Sequence, residues 1–127
     1  MSDSALILLG RILLAVIFVF SGFGKLTDIG GTAGYFGSLG LPAPTLAAWV
    51  VGLVEFLGGL AVLVGFRTRI AAFVLAVFTL AATLIAHTNV SDQVQLLMAL
   101  KNLAIVGGFL ALAVHGAGKI SIDSRAS

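Results

Sequence analysis

Apolar residues run along the chain in four long blocks, at residues 5–24, 46–65, 70–87 and 96–115. Each is close to the ~20 residues a helix needs to cross about 30 Å of hydrocarbon, the third being slightly short. None alternates in polarity as the shorter strands of a membrane β-barrel do. The pattern therefore predicts four membrane-spanning α-helices. The first block is long enough to raise the question of a cleaved signal peptide. It ends in Ser21-Gly22-Phe23-Gly24-Lys25, without the small-x-small site that cleavage requires, and is expected to stay as a helix.

The connections differ in kind. Residues 26–45 are Gly-rich and finish in Gly40-Leu41-Pro42-Ala43-Pro44, whose prolines end any helix and set the entry into the second span. Tyr35 and Phe36 are expected to form a short interfacial piece, and Trp49 falls where an aromatic belt belongs. The second connection is only Phe66-Arg67-Thr68-Arg69. In the third, residues 87–95, Asn89-Val90-Ser91-Asp92 reads as a turn and helix cap. The tail, residues 116–127, is polar.

Basic residues in short loops set orientation. Arg67 and Arg69 lie in the second connection, Lys119 and Arg125 in the tail; the third connection has no Lys or Arg, and Lys25 is balanced by Asp28. Four spans put the termini on the side of Arg67 and Arg69, so both termini are expected in the cytoplasm. A faint internal echo accompanies this layout. Arg11-Ile12 with Val16, Val19 and Phe20 recurs as Arg69-Ile70 with Val74, Val77 and Phe78, and Gly58-Gly59 recurs as Gly107-Gly108. Two related helical hairpins would produce it.

Composition strengthens the membrane reading. Of 127 residues, 60% are hydrophobic and 9% charged, against about 25% charged in ordinary soluble domains. The mean hydropathy is +1.19. A soluble domain of this size has a large surface to cover with polar groups, and too few are present. The length fits one domain, residues 1–127. Net charge is +2, and the cations are spread rather than clustered, which argues against nucleic acid as a partner. The chain has no cysteine, which excludes disulfides, thiol relays, thioether-linked haem and iron–sulfur clusters.

Polar residues inside the spans carry the remaining information. Arg11, Ala15, Phe18, Gly22 and Lys25 share one stripe of the first helix. Gly52, Glu55 and Gly59 share a face of the second; Ala72, Ala76, Thr79, Thr83 and His87 share one of the third. Lys101, Gly108 and His115 repeat every seven residues in the fourth, with Asn102 alongside. Each helix thus has one face of small and polar groups to turn inward. A central charge costs about 3 kcal/mol on insertion, against about −0.3 to −0.6 for each Leu, Val or Phe. The second span can therefore insert with Glu55, which still needs a partner or a proton. Lys101 lies at similar depth and is the expected partner; Arg11, in the other half of the membrane, would reach Glu55 only by stretching. Two main readings stay open, beside a third in which these groups simply contact a lipid head group. In one, a buried ion pair fixes helix register, with Arg11, Lys25, Thr79 and Thr83 as a structural seam. In the other, Glu55, His87, Lys101 and Asn102 line a ligand pocket near the outer leaflet that holds a quinone head group or relays protons.

The two histidines lie almost a bilayer apart, so one chain cannot clamp a haem between them, and no metal site is expected. His115 reads as an interfacial residue near a helix C-terminus and His87 as a polar helix end. The glycine pairs lie between no strand and helix and so have no phosphate-binding meaning; close helix packing accounts for them.

Phe20-Ser21-Gly22-Phe23-Gly24-Lys25-Leu26, the Gly40-to-Pro44 turn, Glu55-Phe56-Leu57-Gly58-Gly59 and Gly65-Phe66-Arg67-Thr68-Arg69 together resemble the DoxX family, as do His87, Lys101-Asn102-Leu103 and Asp123. The resemblance covers nearly the whole chain. It implies a small four-helix protein of the cytoplasmic membrane, in a family named for a subunit associated with an archaeal terminal quinol oxidase and thiosulfate:quinone oxidoreductase. The family supplies no agreed catalytic residues, and none is carried over. Related four-helix enzymes that reduce vitamin K epoxide use cysteines, which this chain lacks. The expectation is an all-α, integral membrane four-helix bundle of the inner (cytoplasmic) membrane. Its leading function is a redox-associated subunit touching quinone beside a catalytic protein partner. The alternative is a non-enzymatic scaffold, or a binder of lipid or a small hydrophobic molecule. The lipid bilayer is the certain partner; a homo-oligomer stays open.

Overall fold

The computed structural model describes residues 2–87 and 89–126. Thr88 of the third connection, and Met1 and Ser127 at the two ends, lie outside the described residues. Every regular element among the described residues is a helix, in the order α1 (Asp3–Leu26), α2 (Ile29–Ser38), α3 (Pro44–Val64), α4 (Thr68–Ala86), α5 (Gln93–His115) and α6 (Ile122–Ala126). The long helices α1, α3, α4 and α5 are each long and apolar enough to cross a membrane. Every apolar block of the sequence falls on one of them, with ends displaced by at most three residues.

Helix starts follow local chemistry. The Ser2 hydroxyl accepts from the Ala5 N–H, and the Asp28 carboxylate from the Gly31 N–H. Asp92 Oδ1 accepts from the N–H groups of Val94 and Gln95, as its place in the turn predicts. Pro44 opens α3, where its missing N–H costs nothing. Gly65 ends α3 at φ 76°, a left-handed turn that favours glycine.

The start of α4 is different. Arg67 occupies the N-cap position at φ 47° and its side chain does not cap. Asp123, far along the chain, takes over. Its two carboxylate oxygens accept from the N–H groups of Arg67 at 2.6 Å and Thr68 at 2.8 Å. Its own N–H donates to the Gly65 carbonyl at 2.8 Å. The tail expected simply to be polar is therefore folded back as a brace across the α3–α4 turn.

The closest pairings are α1 with α3 and α4 with α5, and α2 lies against α3. Ala15, Phe18, Val62, Ala72, Leu75, Ala76, Phe109 and Leu112 form the core where they meet. Phe18 and Phe109 join α1 to α5 edge to face, with ring centroids 5.3 Å apart. Gly22 lets α1 and α3 come close: a Cβ there would stand 2.5 Å from the Phe56 backbone nitrogen. The outer surface is the opposite, with Leu13, Phe20, Leu84 and Val114 all exposed. Such a surface is untenable in water and costs nothing in lipid.

The predicted inward stripes of α1, α3 and α4 are the buried ones: Arg11, Ala15, Phe18 and Gly22; Gly52, Glu55 and Gly59; Ala72, Ala76, Thr79 and Thr83. On α5 the expectation fails. Phe109 and Leu112 are buried, whereas Lys101 and His115 are exposed and Gly108 is half-buried. Phe109 and Leu112 fill most of the space beside α1 and α4, while Asn102 reaches Thr83 of α4 and Gly108 lies against Leu14 of α1. Nor does the internal echo extend to environment, because Arg11 is buried and Arg69 exposed. The interfacial piece expected around Tyr35 and Phe36 is a ten-residue helix, α2.

Candidate functional site

Two polar systems sit at opposite ends of the bundle. The first surrounds Arg11, 1% exposed on α1. Its Nε donates to the Val62 carbonyl at 3.0 Å and its Nη2 to the Leu63 carbonyl at 2.9 Å. Its Nη1 donates to the carbonyls of Ala117 at 2.8 Å and Ile120 at 2.7 Å. Val62 and Leu63 lie in the last turn of α3, where carbonyls lack helical partners and the dipole is negative. The planar fork of the guanidinium suits several fixed acceptors at once. Arg11 thus ties the end of α3 to the tail; it makes no approach to Glu55. Asp123 belongs to the same system. Burial alone would push its carboxyl up, but the Thr68 and Arg67 N–H groups and the Arg11 charge outweigh it. Its pKa is held below the ordinary carboxylate value.

At the other end lies a cavity of about 330 Å3. It is bounded by α1, α3, α4 and α5 and covered by α2, which contributes Tyr35 and Phe36. Most of its wall is apolar. All four candidate ligand-binding residues, Glu55, His87, Lys101 and Asn102, line it.

Their pairing differs from the expected one. Lys25 Nζ, not Lys101, meets Glu55 Oε1, at 2.7 Å. Ser21 completes the group: its hydroxyl donates to Glu55 Oε1 at 3.3 Å and accepts from Lys25 Nζ at 2.7 Å. The reason is packing: α1 lies along α3, so the last turn of α1 delivers Lys25 to the face carrying Glu55. Lys101 is exposed on α5, and its Nζ lies 3.4 Å from Met98 Sδ.

Across the cavity, Asn102 Nδ2 donates to the Thr83 hydroxyl at 2.9 Å, and that hydroxyl donates to the Thr79 carbonyl at 2.7 Å. His87 takes the C-cap position of α4. Its Nδ1 and the Thr79 hydroxyl oxygen are buried without a hydrogen-bond partner among the described residues. Thr79 and Thr83, first read as a purely structural seam, are therefore in or just behind the cavity wall. Ser21 and α2 were not anticipated as parts of this site. The four-residue spacing of Ser21 and Lys25 on one helix face was the available signal for the first. His115 lies at the far end of α5, and its carbonyl accepts from Arg69 at 3.2 Å. No cluster of three metal-ligating side chains occurs among the described residues.

A helical bundle with a lipid-facing exterior and a covered, polar-edged cavity defines a small integral membrane protein with room for a ligand between its helices. Residues 6–88 match the DoxX family, and the chain belongs to it. It is 45% identical over 117 residues to the inner membrane protein YqjF of Escherichia coli, covering 92% of this chain and 88% of that one. It is 36% identical over 125 residues to the inner membrane protein YphA of the same organism, covering 94% and 89%. A Bacillus subtilis relative named "Putative oxidoreductase CatD" is 33% identical over 112 residues, covering 83% and 82%. No solved structure matches the chain. The inner-membrane location expected from the sequence agrees with the names of the two Escherichia coli relatives.

Proposed function

We propose that the protein is a small subunit of membrane redox metabolism. In this reading the cavity receives a hydrophobic ligand with an oxygen-bearing head group, of the quinone class, beside a catalytic partner. The observation that carries the reading is the pair of buried polar atoms, Thr79 Oγ1 and His87 Nδ1, without partners among the described residues. They lie in a wall that is mostly apolar, with Phe18, Phe36, Ile85 and Ile105 among its residues. An unpaired buried polar group costs about 1–3 kcal/mol, which a ligand carbonyl or hydroxyl would relieve. The volume lies at the lower end of the range of about 300–1,000 Å3 for small-molecule sites. Lys101 lines the same cavity and, unlike Lys25, is not paired with Glu55, so in this reading it is the cation available to a ligand oxygen that gains negative charge on reduction. The chain has no thiol to carry electrons; in this reading its own part is to bind and orient the ligand, with His87 Nδ1 and Thr79 Oγ1 as hydrogen-bond partners of the head group. The quinone-linked setting implied by the DoxX resemblance and the name of the CatD relative support the redox side of this reading.

The test is a titration of the purified protein in mild detergent with a short-chain ubiquinone and a menaquinone analogue, read as a rise in melting temperature. His87→Gln and Thr79→Val should lose the rise while the ligand-free melting temperature stays near that of the parent. Stabilisation by a fatty acid or phospholipid but by neither quinone would favour the lipid-binding alternative. Stabilisation by none of them would leave a scaffold.

A further inference from the structure

The bundle end opposite the cavity carries a second concavity, of about 830 Å3, and its wall is rich in cations. Arg67, Arg69 and Lys119 all line it, with Ile70, His115 and Gly116. They come together because α4 starts and α5 ends at this side, and the tail turns across between them. Two carboxylates are also present, Asp3 and Asp123. Asp123 is already engaged by the α4 N–H groups. Among the described residues the only ion pair is Lys25–Glu55, at the other end of the molecule. Arg67 has only a distant ring contact, its Cζ 6.0 Å from the Phe66 centroid. Arg69 donates only to the His115 carbonyl and is seated against Gly116, where a Cβ would stand 3.0 Å from its Nε. Lys119 makes no hydrogen bond among the described residues. Three cations around one hollow thus have no carboxylate ion-pair partner among the described residues.

What lies beside the hollow indicates the ligand. Ile70, part of its wall, is 61% exposed, and Phe66 and Val114, next in sequence to Arg67 and His115, are exposed as well. The surface therefore changes from cationic to apolar at the end of the membrane-spanning helices. A soluble anion would use the cations alone; an acidic phospholipid would use both, with its phosphodiester among the guanidinium and ammonium groups and its acyl chains along the apolar side. We propose that this concavity is a binding site for the head group of an acidic phospholipid, held by Arg67, Arg69 and Lys119. The proposal is independent of the quinone reading and involves none of the cavity residues.

Arg67→Asn with Lys119→Gln removes two of the cations. Neither side chain hydrogen-bonds to another described residue, and Asn tolerates the φ of 47° at position 67. The melting temperature in neutral detergent should therefore stay unchanged. Parent and double variant would be compared by native mass spectrometry in the presence of phosphatidylglycerol, phosphatidylcholine or soluble glycerol phosphate. The parent should retain phosphatidylglycerol over phosphatidylcholine. The double variant should bind phosphatidylglycerol about thirtyfold more weakly, as expected for two cations at an acidic surface. Equal retention of both lipids by the parent, or an undiminished preference in the double variant, would overturn the proposal. So would glycerol phosphate that binds as tightly as the lipid, because the apolar wall would then contribute nothing.

Discussion

Lys25 on α1 and Glu55 on α3 are an ion pair, Nζ to Oε1 at 2.7 Å, in the wall of the cavity. Their side chains are 25% and 11% exposed. The pair is neither a surface salt bridge of negligible worth nor a dry one. It offsets the cost of a carboxylate inside a span, and it leaves Lys101 free of Glu55.

Breaking the pair should therefore cost less than in a dry interior. Lys25→Met or Glu55→Gln alone should destabilise by about 2 kcal/mol, between the values for exposed and buried pairs. The double variant should recover part of that, whereas Lys101→Met with Glu55→Gln should be additive. A double-mutant cycle by unfolding in detergent checks both statements. Coupling of Glu55 to Lys101 rather than to Lys25 would contradict the geometry.

The glycines divide sharply. A Cβ at Gly22 would meet the backbone of Phe56, and one at Gly59 the backbone of Val19 at 3.0 Å, whereas one at Gly107 meets nothing within 4 Å. Backbone cannot move aside as a side-chain tip can. Gly22→Ala and Gly59→Ala should destabilise by about 1–3 kcal/mol through overpacking. Gly107→Ala should be neutral or stabilise by up to about 1 kcal/mol, since glycine is a poor helix former. Melting temperatures of the three variants in one detergent decide the matter; equal effects at Gly22 and Gly107 would exclude a close α1–α3 crossing.

The spans and their inward stripes were legible because hydropathy and helical spacing are local properties. Arg11, Gly22, Glu55, Gly59, Thr79 and Thr83 could be placed on buried faces without knowledge of which helix lay opposite. Partner choice was not legible. Depth alone matched Glu55 to Lys101, and only the packing of α1 along α3 brings Lys25 to it. The inward face of α5 was misread for a related reason: Phe109 and Leu112 look like lipid-facing residues until the gap they fill is known. Asp123 as the cap of α4 was invisible, because the cap and the helix it serves are separated by 55 residues. The cavity residues were recognisable as costly groups in a span; that α2 covers them depended on a fold-back that no periodicity encodes.

Asp123 should make stability depend on pH. Its carboxyl is held below the ordinary value in the folded protein, and returns to about 3.9 when unfolded. Its contribution is therefore complete above the unfolded value and disappears as pH falls through the folded one. Asp123→Asn should cost about 1 kcal/mol at neutral pH, the worth of a helix cap. The difference from the parent should shrink when both are melted at about pH 3. A difference that stayed constant down to that pH would mean the carboxylate does not cap α4.

Orientation is the last expectation, and it decides which leaflet the cavity faces. The α3–α4 turn and the tail carry Arg67, Arg69, Lys119 and Arg125. At the other end the third connection offers Asp92 and no cation, and Lys25 is paired with Glu55. Cations in short loops stay on the cytoplasmic side during insertion. Both termini should therefore be cytoplasmic, and α2 and the cavity should lie toward the outer face. Single cysteines at Ser38 in α2, Ser91 before α5 and Ser124 in α6 report the two ends, since the chain has no cysteine of its own. An impermeant thiol reagent on intact cells should label positions 38 and 91, and label 124 only after the membrane is opened. Labelling of 124 alone on intact cells would reverse the bundle and turn the cavity toward the cytoplasm.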